Sequence, residues 1–201
     1  MRYFEDFRPG DVHELGSVTV TAEEVLEFGR RFDPQPFHTD PKRAEDSPFG
    51  GLIASGFHTQ SMFMRRYVDG LLAYSVCMGS PGIDEVRYLR PVRPGDVLTA
   101  RVEILGATPS PFNPTTGTVK PRCTFVGADG APVFSMILHS IFQRRPAGAE
   151  VRHLSSMSAA EDPAGCCGCG PEGGEAAPAS GKAGAGAGAE AAGGRSPAMS
   201  A

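Results

Sequence analysis

The sequence predicts an α+β fold in which an antiparallel sheet packs against one central helix. The apolar segment from Phe57 to Leu72 has helical spacing, because Phe63, Tyr67 and Leu71 follow one another at intervals of four residues. Several segments rich in β-branched and aromatic residues come after this helix, and turn sequences separate them. A largely buried helix followed by a run of strands is typical of a sheet that covers one face of the helix.

The N-terminal part is predicted to supply one short strand and then an amphipathic helix. Phe4 and Phe7 are expected to anchor the first sixteen residues, and the run Ser17–Val20 is compatible with a strand. Thr21 and Glu24 have the spacing of a capping box, which predicts that a helix begins here.

The helix should end near Phe32, because Pro34 disfavours helical geometry at Asp33. Residues 33–51 are interpreted as a loop, and its four prolines make that loop stiff. The segment Leu52–Gly56 then leads into the apolar helix.

Four strands are predicted beyond the apolar helix: Gly82–Arg93, Val97–Gly106, Thr118–Val126 and Val133–Arg144. Two tight-turn sequences, Pro94–Asp96 and Ala128–Gly130, should join neighbouring strands. The segment Pro109–Pro114 is too irregular for a strand and is interpreted as a loop.

The chain of 201 residues is predicted to contain one folded domain and one tail. Of the 44 residues from Ser158 to Ala201, 25 are Gly or Ala, and no Phe, Tyr or Trp follows Phe142. Such a composition offers too little apolar surface to offset the entropy of ordering the chain. We therefore expect a domain over residues 1–147 and a disordered Gly/Ala-rich tail over residues 148–201.

Charge and hydropathy exclude several classes of protein. The net charge is -4 and the isoelectric point is about 5.7, which argues against a nucleic-acid-binding protein and against a polybasic membrane surface. No apolar run approaches the roughly 18 residues that span a bilayer. The N-terminus lacks the apolar core of a signal peptide, so a cytoplasmic location is expected.

The cysteines do not form a recognisable disulfide framework, since there are five and their spacing is irregular. Cys166, Cys167 and Cys169 lie close together in the predicted tail and could bind a soft metal ion. Such a site usually needs four ligands held by a fold, so the better interpretation is a solvated tail without metal.

The stiff loop carries the strongest candidate for chemistry. Asp33 and His38 lie five residues apart, and a carboxylate and an imidazole on a rigid loop can both contact one water molecule. One group would then accept a proton and the other would deliver one. Alternatively, Asp33 only caps a turn and His38 is a surface histidine.

A second candidate is Gly56 at the start of the apolar helix. Backbone N–H groups at a helix N-terminus have no intrahelical acceptor, so they can stabilise negative charge on a substrate oxygen. Glycine would also let a substrate carbonyl approach the backbone closely. The alternative is a glycine that merely begins a helix.

Three segments resemble the MaoC-like dehydratases, also known as the R-specific enoyl-CoA hydratase family. Phe32–Asp40 is similar to their hydratase motif, Asp-x-Asn-Pro-x-His-x-Asp. Gly51–Thr59 is similar to the segment that leads into their central helix, and Arg87–Asp96 to their strand ending in Pro-Val-x-Pro-Gly-Asp. The resemblance covers about residues 5–145. It implies a hotdog fold, a homodimer, and an acyl-CoA or acyl-carrier-protein thioester as substrate, with no metal and no redox cofactor.

The resemblance also implies roles for individual residues. Asp33 and His38 would hold the water that adds to the double bond, and the Gly56 N–H would bind the thioester oxygen. Contacts with the substrate are expected from Gln35, Ser55, Phe57 and Ser61. The family motif has Asn where this chain has Gln35, which is one methylene longer.

Two functions follow as hypotheses. The first is a hydratase or dehydratase of enoyl thioesters in fatty acid metabolism. The second is an acyl-CoA thioesterase, or a hotdog protein that binds acyl-CoA without catalysis. The presence of both Asp33 and His38 favours hydration, because a pure binding protein would not need the pair.

Overall fold

The computed structural model describes residues 1–148, which form an antiparallel sheet of seven strands and one long helix. The helices are α1 (Ala22–Phe32), α2 (Pro36–Thr39), α3 (Pro41–Glu45) and α4 (Gly56–Gly70). The strands are β1 (Val12–Thr19), β2 (Cys77–Gly79), β3 (Ile83–Tyr88), β4 (Val97–Pro109), β5 (Thr116–Val126), β6 (Pro132–Leu138) and β7 (Ser140–Gln143). Short 3-10 turns lie at Phe4–Asp6 and Leu72–Tyr74.

The sheet has the strand order β1-β4-β5-β6-β3, and every pair is antiparallel. β7 follows β6 along β5 after a break at His139, and β2 pairs with β7. α4 packs on the inner face of the sheet, where it contacts β1, β4 and β5. This arrangement confirms the predicted α+β fold and is that of a hotdog.

The core face of α4 is the one that the spacing predicts. Phe63, Tyr67 and Leu71 are each no more than 1% exposed, and the Phe63 ring packs edge-on against Phe125 with centroids 5.0 Å apart. Burying each such side chain contributes about 1.5–3 kcal/mol. The opposite face is open, since Phe57 is 68% exposed. The expectation of a largely buried helix was therefore wrong, because the sheet covers only one side of α4.

The predicted helix boundaries of α1 are confirmed. Thr21 lies just before the helix, and its hydroxyl accepts a hydrogen bond from the Glu24 N–H at 3.2 Å. The helix ends at Phe32. Phe4 and Phe7 are buried, as expected of anchors.

The first strand is longer than predicted. β1 begins at Val12 rather than Ser17, because its early residues pair with β4, in the register Val12↔Glu103. The preferences of neighbouring residues carry no information about this distant partner, so the early part of β1 could not be predicted from them.

The stretch 33–51 is not a plain loop, since it contains α2 and α3. Each helix has a proline in its first turn, where the missing N–H is not needed. The Asp40 carboxylate accepts hydrogen bonds from the N–H groups of Lys42 and Arg43 and so caps α3. The prolines therefore begin helices here as well as stiffening the chain.

The predictions for the last strand and for one of the turns also differ from the structure. The segment Val133–Arg144 forms two strands, because the strand is interrupted at His139. The Nε2 of His139 lies 2.7 Å from an Asp84 carboxylate oxygen. The turn Pro94–Asp96 does not join paired strands, since β3 pairs with β6 and β4 pairs with β1 and β5. The turn Ala128–Gly130 does join the paired strands β5 and β6.

The two ends of the described chain are held together by ion pairs. Arg144 contacts the Glu5 carboxylate at 3.1 Å, and Arg145 contacts the largely buried Asp6 carboxylate at 2.6 Å. No helix within residues 1–148 is long and apolar enough to span a bilayer. Apart from its first residue, the predicted tail lies outside the described residues, and so do Cys166, Cys167 and Cys169.

Candidate active site

Asp33 and His38 lie next to each other in the folded protein. Asp33 is the residue at which α1 ends, and His38 belongs to α2. The Asp33 Oδ2 and His38 Nε2 atoms are 3.4 Å apart, which is longer than a good N–H···O hydrogen bond. Two atoms at this separation can both contact one water oxygen.

The His38 ring is held in one orientation from its other side. Its Nδ1 lies 2.8 Å from the Ile53 carbonyl oxygen, and the residue is only 5% exposed. Because a carbonyl oxygen only accepts hydrogen bonds, Nδ1 carries the proton, and Nε2 of the neutral ring carries the lone pair. The unprotonated nitrogen therefore points toward Asp33.

Glycine at position 29 lets α2 approach α1 closely enough for this contact. A Cβ on Gly29 would lie 2.5 Å from the His38 carbonyl oxygen, which is backbone and cannot rotate away. Gly29 is buried in α1, four residues before Asp33. The same helix thus supplies both the carboxylate and the space that its partner needs.

Two hydrogen bonds fix the Asp33 carboxylate. Gln35 Nε2 donates to Oδ1 at 2.8 Å, and Ser55 Oγ donates to Oδ2 at 2.7 Å. Burial would raise the pKa of Asp33, but the hydrogen bonds from Gln35 and Ser55 and the nearby His38 lower it below its usual value. The longer side chain of Gln35 therefore reaches the Asp33 carboxylate itself.

The N-terminus of α4 lies beside this cluster. Ser55 caps the helix by accepting a hydrogen bond from the Phe57 N–H at 3.3 Å. Gly56 is the first helical residue, so its N–H has no acceptor inside the helix. The Tyr88 ring lies over Gly56, where a Cβ would stand 2.7 Å from it.

The remaining predicted substrate contacts lie further along α4. Phe57 is exposed, and the Ser61 hydroxyl donates to the Phe57 carbonyl oxygen at 2.8 Å. That hydroxyl thus bonds to its own helix, whereas Gln35 and Ser55 each donate a hydrogen bond directly to Asp33. Ser55 itself is 1% exposed and faces Asp33.

His58 packs α4 against α1. Its ring stacks on Phe28 with centroids 4.9 Å apart, and its buried Nδ1 has no hydrogen-bond partner within residues 1–148. Burial lowers the pKa of His58, although the carboxylate of Glu24 acts in the opposite direction. In the same part of the chain, no group of three or more His, Cys, Asp or Glu side chains could hold a metal ion.

Sequence reasoning missed three participants: Gly29, Ile53 and Tyr88. Ile53 acts through its backbone carbonyl, which no side-chain pattern identifies. Gly29 and Tyr88 act through close approach to other elements. Tyr88 does lie in one of the segments that carry the family resemblance, so its position was the available signal.

Comparison with protein families gives one match over most of the described chain. Residues 7–122 match the MaoC like domain family. This stretch is more than half of the chain and contains the whole candidate site, from Gly29 to Tyr88.

Known proteins with similar sequences catalyse related reactions. The chain is 33% identical to 3-hydroxyacyl-thioester dehydratase Z of Mycobacterium tuberculosis over 118 residues, which is 53% of this chain and 78% of that protein. It is 26% identical to the (R)-specific enoyl-CoA hydratase of Rhodospirillum rubrum over 113 residues, 54% of this chain and 74% of that protein.

Solved structures share the fold. The crystal structure of a MaoC-like dehydratase from Rhodospirillum rubrum superposes with a TM-score of 0.67 and 34% sequence identity. The match covers 73% of this chain and 99% of that one.

Proposed function

Because this chain belongs to the MaoC like domain family, we propose that it is a hydratase/dehydratase that adds water reversibly across the 2,3 double bond of an enoyl thioester. The product would be the 3-hydroxyacyl thioester. The observation that carries this proposal is the Asp33–His38 pair, 3.4 Å apart, beside the Gly56 N–H, which has no acceptor inside α4.

The orientation of His38 supports a role as the proton carrier. Its Nε2 lone pair would accept a proton from water as the water oxygen bonds to C3 of the acyl chain. The same proton would then pass from Nε2 to C2, so water is consumed without any other proton donor. Asp33, ionised because of its lowered pKa, would bind the water and stabilise the imidazolium.

Gly56 would stabilise the charge that this addition creates. Attack at C3 moves an electron pair toward the thioester oxygen, and the intermediate is an enolate until C2 receives its proton. A helix N-terminus offers an N–H donor and the positive end of the helix dipole at that point. The Tyr88 ring over Gly56 would form a wall of the pocket for the substrate.

The substrate class is an acyl thioester of CoA or of acyl-carrier protein. Hydration changes no net oxidation state, so the proposed reaction needs no redox cofactor. The proposed reaction delivers water to C3 and a proton to C2, whereas a thioesterase must activate water beside the carbonyl carbon.

A second copy of the chain is proposed as a further partner. β3 lies at an edge of the sheet, and exposed apolar side chains border it: Ile83, Tyr88, Leu89 and the nearby Phe57. Joining two sheets at this edge would satisfy its backbone groups and cover those side chains. Light scattering should give twice the chain mass, and I83K/L89E should give the mass of one chain.

The direct test follows absorbance of the enoyl-thioester band with crotonyl-CoA and with longer and branched enoyl-CoAs. Wild type should consume the band, and Asp33→Asn should reduce turnover by about 100-fold or more. Asp46→Asn is the matched control, because Asp46 is an exposed carboxylate at the end of α3.

Thiol release is measured in parallel against a protein blank, since the chain contains five cysteines. Thiol release without hydration would replace the proposal with a thioesterase. Binding of acyl-CoA without either reaction would leave an acyl-CoA-binding protein. Repeating the assay with the same acyl group on acyl-carrier protein identifies the preferred carrier.

A further inference from the structure

Ser55 stands where two parts of the candidate site meet, and its hydroxyl bonds to both. Ser55 Oγ donates to Asp33 Oδ2 at 2.7 Å and accepts from the Phe57 N–H at 3.3 Å. Asp33 ends α1 and Phe57 lies in the first turn of α4. The residue is 1% exposed, so water does not compete for these bonds.

We propose that Ser55 is a positioning residue that holds the Asp33 carboxylate in register with the Gly56 N–H. This inference rests on the proposed function, because it assigns both groups to the same substrate. Asp33 acts near C3 and Gly56 at the thioester oxygen, two points whose separation the substrate sets. Misplacing one group by about 1 Å costs about 100-fold in rate.

Gln35 cannot supply this coupling, although it also bonds to Asp33. It is exposed and only two residues from Asp33, so its hydrogen bond shapes the loop on which both residues lie. Ser55 is 22 residues from Asp33 in sequence and belongs to another element. Of these two residues, it is therefore the serine that connects the carboxylate to α4.

The backbone of Ser55 is held as firmly as its side chain. Its carbonyl oxygen accepts the Thr59 N–H at 3.0 Å and the Thr59 hydroxyl at 3.2 Å. Both bonds lie within the first turn of α4, and Thr59 is buried. The position of the hydroxyl that contacts Asp33 is thus fixed relative to the same turn that presents the Gly56 N–H.

Removing the hydroxyl should change Asp33 in two measurable ways. The carboxylate loses a donor that favours its charged form, so the pKa of Asp33 should rise. It also gains freedom relative to α4, which should slow the chemical step more than it weakens substrate binding.

The experiment compares Ser55→Ala with Ser55→Thr and with Thr21→Ala in the full-length chain. Ser55→Thr keeps a hydroxyl at the same place. Thr21→Ala removes another helix-capping hydroxyl, at α1, whose partners are the backbone and carboxylate of Glu24 rather than Asp33. It therefore reports the effect of losing a cap alone.

We expect Ser55→Ala to lower kcat for enoyl-thioester hydration by about tenfold or more, with KM nearly unchanged. Ser55→Thr should recover most of kcat. Thr21→Ala should lower the unfolding temperature without changing kcat. Wild-type kcat in Ser55→Ala, or an equal loss of kcat in Thr21→Ala, overturns the proposal.

A readout without catalysis separates this inference from the proposed function. Carboxyl ¹³C NMR titration follows Asp33 directly, and the Asp33→Asn spectrum assigns its signal. If wild type hydrates no enoyl thioester, the proposed function fails, while a raised Asp33 pKa in Ser55→Ala still supports the hold on the carboxylate. An unchanged Asp33 titration in Ser55→Ala overturns the inference whether or not the protein is active.

Discussion

Gly29 and His38 approach so closely that a single added methyl group would bring α1 into collision with the backbone of α2. The Cβ of an alanine at position 29 would lie 2.5 Å from the His38 carbonyl oxygen and 3.1 Å from its carbonyl carbon. Backbone atoms cannot rotate aside, so α2 would have to move, and the imidazole would move with it. Any change in the packing of α1 against α2 would therefore also change the geometry of the candidate site.

Gly29→Ala should consequently lose activity. We expect kcat/KM for hydration to fall by about 100-fold, which is the cost of about 1 Å of misplacement. The free energy of unfolding should fall by about 1–3 kcal/mol from overpacking, despite a gain of about 1 kcal/mol in helix propensity. Denaturant unfolding and the hydration assay measure both effects.

Gly106→Ala in β4 is the control for that substitution. Within the described chain, nothing lies within 4 Å of the Cβ that it would add. It should leave kcat/KM unchanged. Equal activity in wild type and Gly29→Ala would contradict the account of the α1–α2 contact.

Replacing His38 should separate its fold role from its chemical role. In His38→Asn the amide nitrogen can take the place of Nδ1 and donate to the Ile53 carbonyl, but no group replaces Nε2. In His38→Gln the amide extends toward Asp33 and is a far weaker base than imidazole. Both variants should lower kcat by about 100-fold or more, and His38→Asn should be the more stable on thermal unfolding. A variant of either kind with wild-type kcat would remove His38 from the mechanism.

Gly56 and Tyr88 should show a coupled effect. A Cβ at position 56 would lie 2.7–2.9 Å from three atoms of the Tyr88 ring. Gly56→Ala should therefore lower kcat/KM by about tenfold or more by displacing the ring or the oxyanion donor. Because Tyr88 is a half-exposed side chain, the double variant G56A/Y88A should recover part of the folding loss. Additive losses of unfolding free energy in the double variant would show that the two residues are not in contact.

Acid should destabilise the fold through the buried His58 and the half-buried His13. Burial lowers the pKa of His58 and of His13 below the ordinary value of 6.5. For each group the neutral form is favoured in the folded state, so its stabilisation is complete above pH 6.5 and is lost as pH falls through the lowered folded pKa. The slope cannot exceed about 1.4 kcal/mol per pH unit for each histidine.

His58→Leu should flatten this dependence, since it removes one of the two groups. The measurement is urea unfolding at a series of pH values between 7.5 and 5, compared for wild type, His58→Leu and His13→Leu. An identical slope in wild type and His58→Leu would mean that His58 protonates equally well in the folded and unfolded states.

The end of the folded domain should lie just beyond Arg145. A chain ending at residue 148 keeps the contacts of Arg144 with Glu5 and of Arg145 with Asp6, so its unfolding temperature and activity should match those of the full chain. A chain ending at residue 143 leaves the Asp6 carboxylate buried without this partner, which should cost about 3 kcal/mol. A large loss of stability or activity in the chain ending at residue 148 would give residues 149–201 a role in the domain.

Much of the local structure could be predicted because its causes are local. The cap at Thr21, the end of α1 before Pro34 and the core stripe of α4 depend on contacts within about one helical turn. The choice of Asp33 and His38 is local as well, since they lie five positions apart on one stiff segment. Elements set by pairing were harder: the early part of β1 and the whole of β2 exist through partners far along the chain.

By itself, then, the sequence determined the fold class, the boundaries of α1 and which two residues are the best candidates for chemistry. Only the tertiary structure decided that Ser55 bonds to Asp33, that the Ile53 carbonyl orients His38 and that Tyr88 covers Gly56. The physical reason is distance along the chain. These contacts join residues 15 to 32 positions apart, and a sequence pattern records each residue's own preferences but not which remote group the packed elements bring against it.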